Sequence, residues 1–358
     1  ASVVWEDKLI LGGSWNVAGN REKGFKTNSL IAWDGYKYCE VVAGGVEDPS
    51  NASPLAGFTN GVVRGLTVYS GNLIVCGDFT KIGGLSFSYM VQITPGGTIS
   101  YVGGVAPSGE VLNVTVAGGD LYALGVGTSG IVTPGASTAR FDFIGATRVN
   151  GITNFDGASW NAINGPSASA EDAGVSGTAT DAVFFSSDLH ISGRISQAGG
   201  FTYSGTVTGL KHNATRWLKW QAGGEPDFPV GVQGDALAVY SSKLYILGNV
   251  IGRIGGSGGS VADEAEGLLT WDGSVGGRPA EGAGLEWASD SRGHLLESGG
   301  KLYVAGSFSG SKESSFYPND PKILSDNLIA VNGSSFETID QEGTLSSMYT
   351  IASFTPAV

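Results

Sequence analysis

The sequence is short of several things, and each shortage removes a class of explanation. Only 2 of 358 residues are cysteine, Cys39 and Cys76, and they lack C-x-x-C spacing. A zinc cluster or dithiol redox motif is therefore not expected. The pair is read either as two small buried thiols or as a single Cys39–Cys76 disulfide formed in an oxidising compartment. No apolar run approaches the ~20 residues of a membrane-spanning helix. Basic residues are few: 20 Lys and Arg against 33 Asp and Glu give a net charge of −13. That charge repels phosphate backbones, so nucleic acid is not an expected partner. Apolar stripes at helical spacing are missing. So are G-x-S-x-G, H-E-x-x-H, nucleotide-loop and sialidase-type S-x-D-x-G-x-x-W patterns. No catalytic residue, metal or cofactor is assigned, and an enzyme is not the expected reading.

Glycine is abundant instead. There are 59 glycines among 358 residues, more than twice the usual share of about 7%. They stand between short runs of Val, Ile, Leu, Tyr and Phe, the pattern of many strands joined by tight turns. One phrase recurs six times with a fixed Leu-to-Gly gap: Leu9–Gly13, Leu73–Gly77, Leu121–Gly125, Leu189–Gly193, Leu244–Gly248 and Leu302–Gly306. A second apolar run and a polar turn precede most copies. A second hairpin signal follows, usually Asp-Gly or Asn-Gly, as at Asp34-Gly35, Asp156-Gly157, Asp272-Gly273 and Asn332-Gly333. These dipeptides predict type I′ turns, with both central residues at positive φ.

Each repeat is thus four antiparallel strands, and the predicted fold is all-β: a six-bladed β-propeller over a single domain, 1–358. The repeat units fall near 1–61, 62–109, 110–177, 178–231, 232–285 and 286–344. The segment 345–358 is expected to close the ring against the first blade, since open sheet edges invite aggregation.

The phrases GDFTKIGG from Gly77 and GRISQAGG from Gly193, together with the W-D-G turns at Trp33 and Trp271 of other copies, carry a resemblance. Their grammar resembles the extracellular propeller of the fungal cortical-marker, polarised-growth family. It is also similar to secreted bacterial propellers and, more loosely, to kelch repeats. The likeness implies a secreted or cell-surface, non-catalytic protein and carries over no catalytic residues. A chain opening at Ala1 with no signal-like segment suits a processed secreted protein or an excised fragment.

Connections between second and third strands, and between fourth and first, vary in length, while the other turns are short. Both variable sets emerge at one end of an up-and-down sheet, so that long-loop end is the expected binding face for proteins or glycans. Polar residues follow the repeat glycine there: Ser14, Asp78, Arg194, Asn249 and Ser307. Asp78, Arg194 and Asn249 are taken as candidate ligand contacts. Trp15, Trp287, Phe316 and Tyr317 are candidate sugar-stacking aromatics, whereas Trp33, Trp160, Trp217 and Trp271 are assigned to packing. The acids Glu47, Asp48, Asp263, Glu264 and Glu266 lack the spacing of a dedicated calcium loop. His190, His212 and His294 are placed on three different blades and give no convergent metal set.

Sequons at Asn51, Asn213 and Asn332 are candidate N-glycosylation sites, while Asn113 is set aside because it falls within a strand. The expected role is a protein-binding or structural module, as a homo-oligomer or part of an extracellular assembly. A carbohydrate-binding propeller is the first alternative, and a glycosidase or lyase with axial carboxylates the second.

Overall fold

A computed structural model of the chain describes residues 1–15, 17–18, 25–52, 59–127, 141–163, 173–213, 216–219, 230–254, 263–274, 276–280, 284–287, 293–311 and 327–339. They form two compact units, one within Ala1–Ala179 and one from Thr180 onward. Among the described residues, every regular element is a strand apart from one 3-10 turn at Val102–Gly104.

The strands follow the predicted up-and-down order in quartets. In the first unit these are Ser2–Trp5, Lys8–Gly12, Leu30–Trp33 and Tyr38–Cys39; then Val62–Tyr69, Asn72–Asp78, Met90–Ile93 and Ile99–Ser100; then Val111–Ala117, Asp120–Gly127, Ile152–Phe155 and Trp160–Ala162. A fourth quartet, Val175–Phe185, Asp188–Ala198, Phe201–His212 and Trp217–Lys219, starts in the first unit and runs into the second. The second unit continues with Val230–Tyr240, Lys243–Ile254, Asp263–Trp271 and Gly276–Gly277. Its last quartet is His294–Ser298, Lys301–Ala305, Leu328–Asn332 and Ser335–Thr338.

The repeated phrase is built to be buried on both sides. Successive strand residues point to opposite faces, and both faces of a middle sheet meet a neighbour. In the second quartet Leu73 and Val75 join Ile10, Leu30 and Ala32 of the first, while Ile74 and Cys76 join Val114, Leu121 and Ala123 of the third. The fifth quartet repeats this in the other unit. Leu244 and Ile246 pack with Phe185, and Tyr245 and Leu247 pack with Leu302, Val304 and Ile329. Each buried Leu, Ile or Val among them contributes about 1.5–3 kcal/mol of burial, which explains why the phrase is apolar without alternation.

Six separate, closed blades were expected, and the structure corrects this. Four quartets stand as separate four-stranded sheets, but the third and fourth form one eight-stranded sheet. The second strand of the third quartet runs past its repeat glycine, and Val126 and Gly127 pair with Thr178 and Gly177. Glycine permits this close approach: a Cβ on Gly127 would lie 2.1 Å from the Val175 carbonyl oxygen. The closing strand expected at 345–358 lies outside the described residues.

Aromatic pegs tie neighbouring sheets together. Four residues before the phrase's leucine, the first strand ends in Trp5, Tyr69, Ala117, Phe185, Tyr240 or Ser298. Trp5 donates its indole N–H to the Gly71 carbonyl at 2.9 Å, and the Tyr69 hydroxyl donates to Phe155 at 3.3 Å. The Tyr240 hydroxyl donates to Gly300 at 2.8 Å and accepts from the Gly333 amide at 3.2 Å. Each bond reaches a turn or strand end of the following quartet. Ala117 has no such group, and its quartet is the one joined to the next by strand pairing instead.

The Asp-Gly turns also differ from expectation. Only their glycines lie at positive φ, at 97° for Gly35 and 96° for Gly157. The Asp34 carboxylate accepts the amides of Tyr36 and Lys37, both at 2.9 Å, and Asp156 does the same with Ala158 and Ser159. The side chain closes a four-residue loop, so the aspartate need not adopt the left-handed conformation of a type I′ turn.

Candidate functional site

The long-loop end of the sheets is a second tier of strands. Val46–Ala52 and Thr59–Asn60, between the first and second quartets, form a hairpin, as do Phe143–Ile144 and Thr147–Arg148 inside the third. Val17–Ala18 and Phe25–Lys26 make another inside the first. The tier latches one sheet to the next. Lys81 and Ile82, from inside the second quartet, pair with Glu47 and Val46. Pro107 bridges to Ile144. In the other unit Leu285 and Trp287 pair with Ser311 and Phe308 of the last quartet. A rule emerges: the segment leaving one quartet bonds to the segment inserted in the following one.

The repeat glycine starts this tier. Its amide donates to the residue that precedes the third strand: Gly13 to Ser29 at 3.0 Å, Gly77 to Tyr89 at 2.9 Å, Gly306 to Asn327 at 3.1 Å. Those acceptors lie at positive φ, 59°, 66° and 68°. Their own amides return to the aromatic two residues past the glycine: Ser29 to Trp15 at 2.8 Å, Tyr89 to Phe79 at 3.0 Å, Asn327 to Phe308 at 3.1 Å. The grammar is therefore Gly-x-aromatic, closed by a reciprocal pair of backbone bonds. Ile195 and Val250 hold the aromatic's place in the fourth and fifth copies.

This pattern locates the candidate residues. Trp15 is the counterpart of buried Phe79 and Phe308, and it lies against its own glycine: a Cβ on Gly13 would sit 2.0 Å from the indole. Trp287 does the same at Gly306, where a Cβ would meet its ring at 2.2 Å, and it stacks on Phe308 with centroids 6.0 Å apart. Both indole N–H groups are buried and lack a hydrogen-bond partner among the described residues. Tyr317 and Phe316 lie outside the described residues.

The x position carries Ser14, Asp78, Arg194, Asn249 and Ser307, and the structure assembles other groups around two of them. In the first unit Asp78 is half-buried, and desolvation raises its pKa, with the charges of Glu110 and Asp48 adding and Arg64 opposing. Arg64 and Glu110 form an ion pair between the first strand of the second quartet and the entry to the third. In the second unit Asn249 is in register with Gln233, whose amide donates to Asp235 at 2.9 Å. Beside them the Thr180 hydroxyl donates to the Gly234 carbonyl at 2.7 Å. Asp181 accepts the Leu237 amide at 2.9 Å, and burial pushes its pKa up to about 7. Arg194 and Ser14 are exposed.

Arg64, Glu110, Asp181 and Gln233 are absent from the sequence-based candidates. Their signal is polarity in or beside otherwise apolar first strands. The eighth residue before the phrase's leucine is Gly65, Asn113, Asp181 or His294 in four copies. Asn113 and Asp181 there fold the same way, each accepting the following residue's amide at 2.8 Å.

The remaining candidates have structural surroundings. Cys39 and Cys76 are free thiols, so no disulfide joins them. They pack into clusters on opposite faces of the second sheet, and burial raises the Cys76 pKa. His190 and His212 share the fourth quartet rather than lying on separate blades, and His294 begins the first strand of the last one. Burial lowers His190 and His294 to about 4. Among the described residues no three His, Cys, Asp or Glu side chains are grouped to hold a metal ion. Asp48 is buried, Glu47 and Glu266 are half-buried, and the side chains of Asp263 and Glu264 are not described.

Trp160 donates to the Val102 carbonyl at 3.0 Å and Trp271 packs between sheets, as assigned. Trp217 is buried against His212, and Trp33 lies against Tyr38. Asn213 accepts the Arg216 amide in its turn at 3.1 Å, Asn332 is exposed, and Asn51 falls in the tier with its side chain outside the described set.

No helix among the described residues is long and apolar enough to cross a membrane. Scanned against protein-family models, the chain matches none, so neither the kelch nor the cortical-marker resemblance gains a family match. No curated protein sequence matches it either. Among solved structures, one titled "Structure of YjhT" is similar over 94% of this chain and 95% of that one, at 13% identity and a TM-score of 0.43.

Proposed function

We propose that the chain is a non-catalytic binding module of the cell surface or extracellular space, and that the latched tier is its contact surface. The observation that supports this is the bonding of variable segments to one another across neighbouring quartets, at Glu47–Lys81, Pro107–Ile144 and Trp287–Phe308. Such bonding gives varied side chains a fixed backbone, which lowers the ordering cost of binding. Acidity and few lysines suit an extracellular surface.

Cross-linking with a carboxylate-to-amine reagent in the source material tests the reading. Links to a partner are expected at Lys81 and Glu47 of the tier. Links confined to Lys37, Lys243 and Lys301, at the opposite end of the sheets, contradict it. A glycan partner would have to use aromatics other than Trp15 and Trp287, whose rings are largely committed to glycine and Phe308.

A second reading draws on Asp78. A half-buried carboxyl with a raised pKa beside the Arg64–Glu110 pair resembles the split acid environments used to cleave glycosides. Polysaccharide turnover abolished by Asp78→Asn would favour it over the binding module. Absence of turnover across a broad polysaccharide panel would remove it.

A further inference from the structure

We propose that Asn332 is a self-modifying residue, converting to aspartate and isoaspartate through attack by the Gly333 amide nitrogen, at a rate set by the Tyr240 hydroxyl. The Gly333 nitrogen forms a bond to the Asn332 side-chain carbonyl carbon, and the side-chain nitrogen leaves as ammonia. Water then opens the cyclic imide at either carbonyl. Hydroxide removes the amide proton before attack, so no oxidant, metal or second protein is required.

The sequence holds four Asn-Gly pairs, at Asn60, Asn150, Asn164 and Asn332. A following glycine leaves the attacking nitrogen uncrowded, and asparagine is among the chemically labile residues. The structure separates the two pairs whose side chains it describes. Asn150 is 2% exposed, donates to the Ala173 carbonyl at 2.6 Å and accepts from Arg148 at 3.0 Å. Its amide is locked on both atoms and shielded from hydroxide. Asn332, Gly333 and Ser334 are all exposed at the tip of the last hairpin, where Asn332 pairs with Ser335.

Among the described residues, what restrains the attacking Gly333 nitrogen is the Tyr240 peg. The Tyr240 hydroxyl commits its own proton to Gly300, leaving its oxygen to accept the Gly333 N–H. That bond holds the proton which must leave and aims the nitrogen at the phenol rather than at Asn332. The Asn332 amide group meanwhile donates to Glu337 at 2.7 Å, and Glu337 also takes Lys301 at 2.5 Å. Conversion would replace that donor with a carboxylate facing Glu337, and isoaspartate would add a carbon to the backbone at the hairpin's closing pair. The edge strand Ser335–Thr338 would loosen as a result.

The test is peptide mapping of the full chain aged in mildly alkaline buffer. Tyr240→Phe is compared with the unmodified protein and with the same chain held in urea, and thermal unfolding checks that the variant remains folded. Slow conversion at Asn332 is expected, rising about fivefold in Tyr240→Phe, the factor one net hydrogen bond carries. The urea-held chain should convert fastest, Asn150 should stay intact in the folded protein, and Gly333→Ala should suppress the reaction. Equal rates in the unmodified protein and a folded Tyr240→Phe variant would overturn the proposal. So would a folded rate matching that in urea.

Discussion

Gly77 illustrates how much one position carries. Its φ is 155°, and a Cβ there would lie 2.0 Å from the Val62 carbonyl oxygen, at a bulge where the ladder shifts register. Gly77→Ala should therefore cost about 2–4 kcal/mol in denaturant unfolding, and a loss below about 0.5 kcal/mol would show that the bulge relaxes freely.

Titratable residues make a second prediction, because their signs oppose. Asp181 is raised to about 7 in the folded protein, so its contribution is present at acid pH and is lost as pH rises from its unfolded value through 7. His190 and His294, lowered to about 4, act the other way: stability falls as pH drops from 6.5 towards 4. Asp181→Asn should leave the histidine limb alone, giving stability that rises more steeply with pH between about 4 and 7 than in the unmodified chain. Parallel pH profiles for the two proteins would contradict this. At the far acid end, Asp34 and Asp156 are held below the usual carboxylate range by backbone amides, and their loops weaken only once those carboxylates protonate.

Between elements, the pegs and latches decide how neighbouring sheets stay in register. Tyr69→Phe removes only the hydroxyl that reaches Phe155 and leaves the ring that meets it edge-on at 6.1 Å. A loss of about 1 kcal/mol is expected in thermal or denaturant unfolding, and an unchanged midpoint would mean that the ring alone ties the sheets. The strands themselves were legible because Leu-x-x-x-Gly keeps its spacing in all six copies. The latches were not, because Glu47 meets Lys81 and Trp287 meets Phe308 across unequal separations that no local pattern marks. Trp15 was misread as a loop aromatic for a related reason. Its equivalence to Phe79 and Phe308 appears only when the phrase is extended two residues past the glycine. Asp34-Gly35 was misread because the carboxylate supplies a local acceptor that competes with the backbone turn the dipeptide usually makes.

Over the whole molecule, the same quartet serves both compact units with one set of rules. Alternate residues of the repeated phrase fill the spaces on either side of a sheet, the end of the first strand pegs the next quartet, and the repeat glycine hands the chain to the tier. Of the candidate contacts read from sequence, Asp78 and Asn249 have polar neighbours assembled around them, Arg194 stands exposed, and the two tryptophans belong to the scaffold. The polar residues of the first strands escaped notice because a lone Asp or Arg in an apolar run carries no periodic signal. The central claim is that the repeated glycine is part of the scaffold, bonded into a ladder, and that function lies in what varies beyond it. Native-state hydrogen exchange at the amides of Gly13, Gly77 and Gly306 tests this most directly. The account predicts protection comparable to Val75 and Val304 within the adjoining strands, and exchange as fast as at the exposed turn glycines Gly71 and Gly299 would contradict it.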